Sequence, residues 1–209
     1  VGAYGVAILR RLRLLFEARW WFSALLAGSL LAGCEGGRQG SGGSAGANVT
    51  WTDTPISFEV AGMPVFGTYR HPVDGPGLFP AELLIAGSGP TDRNGNSPLV
   101  SGNIGTLQTL ADWLSDDGVA SLRYDKLGSG QTGLGSYALR PQEAGMQVFE
   151  QEAAAAFETL ASQPGIDGKR LMVLGHSEGA LMALLLATGE SGKTPPVKAL
   201  GLIEPMSLR

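Results

Sequence analysis

The 209-residue sequence has one cysteine, Cys34, and two histidines, His71 and His176. A single cysteine excludes an intrachain disulfide framework and any multi-cysteine zinc site, and two histidines leave little material for another metal centre. Charge is scarce as well. Only 16% of residues are charged and the net charge is -4, so the basic face that a nucleic-acid partner requires is missing. Long apolar runs are also lacking: residues 20–33 form an apolar stretch broken only by small residues, shorter than the roughly 20 residues a membrane-spanning helix needs. What the chain does have is 44% hydrophobic residues and 32 glycines, enough apolar material to bury a core and to exclude a wholly disordered chain. One main domain is expected.

The apolar stretch follows Arg10, Arg11, Arg13 and Arg19, the order of a signal peptide with its basic start and short apolar centre. It ends Leu31-Ala32-Gly33-Cys34, which resembles the lipobox of bacterial lipoproteins, where the cysteine thiol takes a diacylglyceryl group and becomes the new N-terminus. The alternatives are an ordinary buried cysteine at the end of an apolar helix and a twin-arginine signal at Arg10-Arg11. Residues 34–48 are Gly/Ser-rich and read as a flexible tether. The expected organisation is a lipoprotein signal peptide over 1–33, a tether over 34–48 and a globular part over 49–209. Loss of residues 1–33 would leave 11 basic against 18 acidic residues, a net -7. Attachment to the extracytoplasmic side of the cell membrane would then run through lipid on Cys34 and not through a basic surface.

In the globular part short apolar strands alternate with helical spacing. Residues 56–60 and 65–70 read as a hairpin around Ala61-Gly62-Met63-Pro64, and 82–86, 119–124, 171–174 and 197–203 as further strands. Residues 103–114, 142–162 and 178–188 carry apolar positions at helical intervals. This alternation predicts an α/β fold, a mostly parallel sheet with helices on both faces.

Three motifs sit on this frame. Gly175-His176-Ser177-Glu178-Gly179 matches the G-x-S-x-G elbow, in which a tight strand-to-helix turn lifts a serine hydroxyl above the sheet. The same pattern at Gly42-Gly43-Ser44-Ala45-Gly46 lies in the tether; only Ser177 stands between an apolar strand and an apolar helix. The second motif, Gly87-Ser88-Gly89-Pro90-Thr91-Asp92-Arg93-Asn94-Gly95-Asn96, follows the third strand, where a hydrolase of this architecture places one backbone donor of its oxyanion hole. Ser88 or Gly89 would be that donor, and Glu178 the other. The third, Gly128-Ser129-Gly130-Gln131-Thr132-Gly133 with Glu152 downstream, formally fits a dinucleotide loop. Leu134-Gly135-Ser136 and Pro141 interrupt the helix that should cradle the pyrophosphate, so no cofactor is expected.

These motifs, with Leu122-Arg123-Tyr124-Asp125-Lys126 between them, resemble the α/β-hydrolase superfamily, and within it the esterase and serine-aminopeptidase-like lipases, over residues 55–204. The resemblance implies Ser177 as nucleophile, backbone donors at Ser88 and Glu178, and acyl transfer from a small-molecule ester or peptide-like substrate to water through an acyl-enzyme.

The triad of this fold runs Ser, then Asp or Glu, then His. No histidine follows Ser177, His71 reads as a surface residue, and His176 occupies the variable elbow position. Of the later acids, Glu190 ends a helix and Glu204 ends the last strand; Glu204 is the acid candidate. The expectation is an α/β-hydrolase fold cut after about its sixth strand and nearly inactive, since loss of a triad member leaves only about 10³- to 10⁴-fold catalysis over water. The rival reading is a lipid-anchored binding or structural lipoprotein on a degenerate hydrolase scaffold.

Overall fold

The computed structural model describes residues 49–75 and 77–205. The expected signal peptide, Cys34 and the tether lie outside the described residues. Six strands form one sheet: β1 (Trp51–Val60), β2 (Met63–Pro72), β3 (Phe79–Ile85), β4 (Ala120–Tyr124), β5 (Ile166–His176) and β6 (Ala199–Ile203). Their spatial order is β1-β2-β4-β3-β5-β6. β1 and β2 pair antiparallel, as do β2 and β4, while β4, β3, β5 and β6 run parallel. Three helices, α1 (Thr106–Asp116), α2 (Met146–Ala161) and α3 (Glu178–Thr188), connect the parallel strands. The fold is the mostly parallel α/β architecture that the alternation predicts.

The β1–β2 hairpin turns on Ala61 and Gly62, with φ of 49° and 76°. Two central residues at positive φ give the turn whose twist matches that of paired strands. On one side of the sheet α2 lays Ala153, Ala156, Phe157 and Leu160 against Leu83, Leu122, Leu171 and Val173, all fully buried. The run of alanines in α2 lets its backbone approach the sheet closely. On the other side a smaller cluster joins Leu84 and Ala86 to Leu107 and Ala111 of α1.

The three largest boundary differences from the sequence expectation are at α2, β5 and β1. α2 starts at Met146 and not Gln142, because Pro141–Glu143 forms a separate 3-10 turn and Gly145 is extended at the helix start. β5 reaches back to Ile166, which pairs with Phe79 across a register shift. The intervening Asp167 to Arg170 are polar, and Asp167 accepts hydrogen bonds from Lys169 N–H (2.9 Å) and Arg170 Nε (2.7 Å), so this stretch carries no apolar signal. β1 begins five residues early, at Trp51, whose ring meets Phe79 edge-on at 5.9 Å.

The four parallel strands all end at one edge of the sheet. The loops after β3 and β4, the β5–α3 turn and Glu204 are gathered there, the position where open α/β sheets hold their ligands.

Candidate active site

Ser177 lies between β5 and α3 with φ 52° and ψ -114°, a conformation that side-chain-bearing residues rarely adopt. Its neighbours hold it there. Its N–H donates to Ile203 O of β6 (2.9 Å), and its carbonyl accepts from Ala180 N–H (3.0 Å). A methyl on Gly175 would strike the Gly179 carbonyl, and one on Gly179 would lie 2.6 Å from Ala86 O. The two glycines of the elbow are therefore required by close backbone crossings, first of helix over strand and then of helix over the end of β3.

The loop after β3 passes directly beside the elbow. A methyl on Gly87 would sit 3.3 Å from Ser177 Cβ and 2.8 Å from His176 Nδ1. Beyond Gly87 the loop is fixed by carboxylates. Asp92 Oδ1 accepts from the N–H groups of Asn94 and Asn96, each at 2.9 Å. Asn94 O in turn accepts from Leu107 N–H (3.0 Å) and Gln108 N–H (3.2 Å), capping α1 where Gly105 offers no side chain. Asp125, buried just past β4, accepts from Arg93 N–H (2.7 Å), Arg93 Nε (2.9 Å), Arg93 Nη2 (2.6 Å) and Gln131 N–H (2.8 Å). Gly130 packs on that carboxylate with no space for a Cβ. One carboxylate thus ties the loop after β3 to the loop after β4. Between these loops opens a cleft of about 490 Å3, lined by Pro90, Asp92, Asn96, Gly128, Gly130 and Gly133 among others.

A sequence profile of the S33 serine aminopeptidases matches residues 100–207, a stretch that includes the elbow. The chain belongs to this family of hydrolases. Solved structures of similar fold include a dienelactone hydrolase-like promiscuous phosphotriesterase, P91, from metagenomic libraries, at 19% identity and TM-score 0.53, covering 74% of this chain and 59% of that one. A cold-adapted esterase from an Arctic intertidal metagenomic library matches at 21% identity and TM-score 0.52, over 73% of this chain and 60% of its own. Est1E from Butyrivibrio proteoclasticus, described with bound ferulic acid, matches at 20% identity and TM-score 0.54, over 69% and 50%. The chain spans six-tenths or less of the length of each, and at these identities the likeness is one of fold. No curated protein matches the sequence.

Within this S33 hydrolase frame the remaining sequence candidates fall at different places. Glu204 follows β6 at the same edge as Ser177, with φ 46°, and its Oε2 is 3.6 Å from His176 Nε2. Its side chain is 83% exposed. Glu190 follows α3, which runs away from that edge, and so stands towards the opposite end of the sheet from the elbow. His71 is also at the opposite end: Arg70 pairs with Ser121 near the start of β4. There the imidazole stacks on Tyr69 at 4.6 Å and bonds Thr54 Oγ1 through Nε2 at 2.9 Å. Among the described residues neither imidazole has a hydrogen bond to Ser177.

The segment that formally fits a dinucleotide loop closes on itself. Gly128 N–H donates to Gly133 O (2.7 Å), Gly133 N–H donates to Ser129 O (3.0 Å), and a short 3-10 turn, not a helix, follows. Glu152, far from any ribose role, is wholly buried and accepts the Leu127 N–H at 3.0 and 3.1 Å. Burial pushes its carboxyl up to about 7, with the Leu127 bond and the Lys126 charge pulling the other way. The supporting roles of Asp125, Lys126 and Glu152 are what sequence reasoning missed. No local signal marked them: two charged residues directly after an apolar strand read equally well as solvated loop residues.

Proposed function

We propose that the protein is a serine hydrolase that cleaves carboxylic esters, with amide or peptide bonds as the alternative class, through an acyl-enzyme on Ser177. The observation that carries this reading is the strained backbone of Ser177 at the catalytic edge, pressed against the Gly87 turn. Strain of this size persists only where surrounding structure imposes it, and it clusters at reactive positions.

In the proposed reaction the Ser177 hydroxyl attacks the acyl carbon and the carbonyl oxygen becomes an oxyanion. The N–H groups of Ser88, first past the Gly87 contact, and Glu178, first in α3, receive that oxyanion. The α3 N-terminus adds its partial positive charge. The alcohol leaves with a proton, and water then releases the acid from Ser177. Glu204 is the candidate for the acid of the triad, supported by its place at this edge and its left-handed backbone. With neither histidine hydrogen-bonded to the serine hydroxyl, the 209-residue chain is proposed to react slowly, sustained by donors and binding alone.

The test is intact-mass analysis after incubation with p-nitrophenyl acetate. An acetyl adduct confined to Ser177 and absent from the Ser177→Ala variant supports the reading. Acetylation that persists in Ser177→Ala overturns the elbow assignment, and no adduct at all favours a scaffold kept for binding. We also propose that Cys34 carries a lipid that holds the protein at the extracytoplasmic membrane surface, a reading supported by the Leu31-Ala32-Gly33-Cys34 sequence after its apolar stretch. Expressed in a bacterial host, Cys34→Ala should lose the lipid mass and its partition into detergent; unchanged partition would refute the anchor.

A further inference from the structure

Lys126 has no part in the hydrolytic reading above, yet it is among the most buried charged residues described, with 6% of its side chain exposed. A lysine out of water is costly unless its charge is met, so its partners define what it is for. There are three. Its Nζ donates to Gly89 O at 2.7 Å, stands 3.8 Å from Glu178 Oε1, and lies over the Phe149 ring at 5.5 Å from the centroid.

Two of these partners belong to the two halves of the proposed oxyanion hole. Gly89 follows Ser88 in the loop after β3, and Glu178 is the first residue of α3. The carbonyl of Gly89 belongs to the second peptide past the one that carries the Ser88 N–H, so holding it limits, through the backbone dihedrals of Ser88 and Gly89, where that N–H can point. We propose that Lys126 is a positioning residue, a buried ammonium clamp that holds residues 88–89 and the start of α3 in register so that both donors face one point. This inference rests on the reading of Ser88 and Glu178 as donors.

The clamp is seated from below. Leu127 N–H, the next amide along, is held by both oxygens of Glu152, and Phe149 and Glu152 come from the same face of α2. Ser129 Oγ donates to Lys126 O at 2.8 Å. The loop after β4 is therefore anchored to α2 before it reaches across to the elbow. The groups that face the ammonium are Glu178 from α3 and Glu152 from α2, with Tyr124 of β4 near both carboxylates. Burial lowers the Lys126 pKa below the ordinary 10.5, and the two glutamates partly restore it. Burial holds the Tyr124 hydroxyl well above 10. An alkaline titration below the usual lysine value thus belongs to Lys126 and not to Tyr124.

The experiment has three readings on the full chain. In 13C-detected spectra of the wild-type protein, the Gly89 carbonyl shift should titrate with the same midpoint as Lys126 Cε, below 10.5. In Lys126→Arg, whose guanidinium keeps its proton, that inflection should vanish. In Lys126→Met, amide hydrogen exchange over residues 87–93 should speed by roughly 10- to 100-fold, the equivalent of one hydrogen bond to a charged donor, with α2 unchanged. The rate of Ser177 modification by a fluorophosphonate should fall by at least roughly tenfold in the same variant, short of the 10²- to 10³-fold lost with an oxyanion donor itself. A Gly89 shift that does not follow Lys126, or loop exchange that is unchanged in Lys126→Met, overturns the clamp. Wild-type protein that takes no fluorophosphonate on Ser177 overturns the donor reading instead, and leaves the clamp to be decided by the shift and the exchange.

Discussion

Two regions of this molecule are equally dry and built from opposite materials. Under α2 the interior is Phe157, Leu83, Leu122, Leu171 and Val173, all at 0% exposure. At the C-terminal edge of the sheet Asp125, Lys126, Ser129 and Glu152 are at 5% or less. Apolar contacts are non-directional, so the first region fixes how elements stack while tolerating small shifts. Hydrogen bonds to charged groups have direction, so the second fixes where loop backbones point. The sheet needs the first to exist, and the proposed oxyanion donors beside the elbow need the second to be held in place.

The sharpest way to break that contrast is a paired substitution. Asp125→Ala leaves the Arg93 guanidinium without its carboxylate and should cost about 3–5 kcal/mol in urea unfolding. Phe157→Ala should cost about the same, 3–5 kcal/mol, through the cavity it leaves. The two should separate in fluorophosphonate labelling of Ser177 measured well below the unfolding midpoint. Asp125→Ala should lose it, and Phe157→Ala should keep it. Equal labelling in both variants would erase the division of labour.

A smaller effect is expected at the seam between the regions. Glu152→Ala strands the buried Leu127 N–H and should cost about 1–3 kcal/mol. Glu152→Gln, which keeps an acceptor for that N–H, should cost less, as read from denaturation midpoints at pH 7.

A pH profile sharpens the comparison further. Burial pushes the carboxyl of Glu82, on the α1 side of the sheet, from 4.5 up to about 7, and Glu152 behaves alike. Between those values the folded chain holds protons that the unfolded chain has released. Stability contributed by these groups is therefore full below about 4.5 and falls as pH rises towards about 7. Glu82→Gln should flatten part of that slope in urea midpoints taken at pH 4.5 and 7.5; an unchanged slope would show that Glu82 is not the group responsible. The smallest change is expected at Arg70, whose pairs with Asp53 (3.3 Å) and Asp112 (3.1 Å) are partly open to solvent. Arg70→Ala should cost less than about 1 kcal/mol.

Much of the frame was legible in the sequence because its signals are local. Apolar alternation around Ala61-Gly62 marked the hairpin, and Ser177 stood out because an apolar strand and an apolar helix flank its glycines. The start of β5 was not legible, since Asp167 to Arg170 satisfy one another at the surface and carry no alternation. The polar layer was not legible for a different reason. Asp125 meets Arg93 across 32 positions and Lys126 meets Gly89 across 37, and no local pattern distinguishes such charges from solvated loop residues. The glycines of the formal dinucleotide motif serve the same loop: Gly130 packs on Asp125, and Gly128 and Gly133 close a turn.

The central claim is that the elbow presents Ser177 to donors already in place. The most direct test is the second-order rate of fluorophosphonate reaction with the 209-residue chain, with the modified residue identified by peptide mapping. The account predicts modification at Ser177 about 10²- to 10³-fold faster than at a serine in an unstructured peptide, the share that a donor already in place supplies. Modification spread over the other serines at the peptide rate, with Ser177 unmarked, would contradict it.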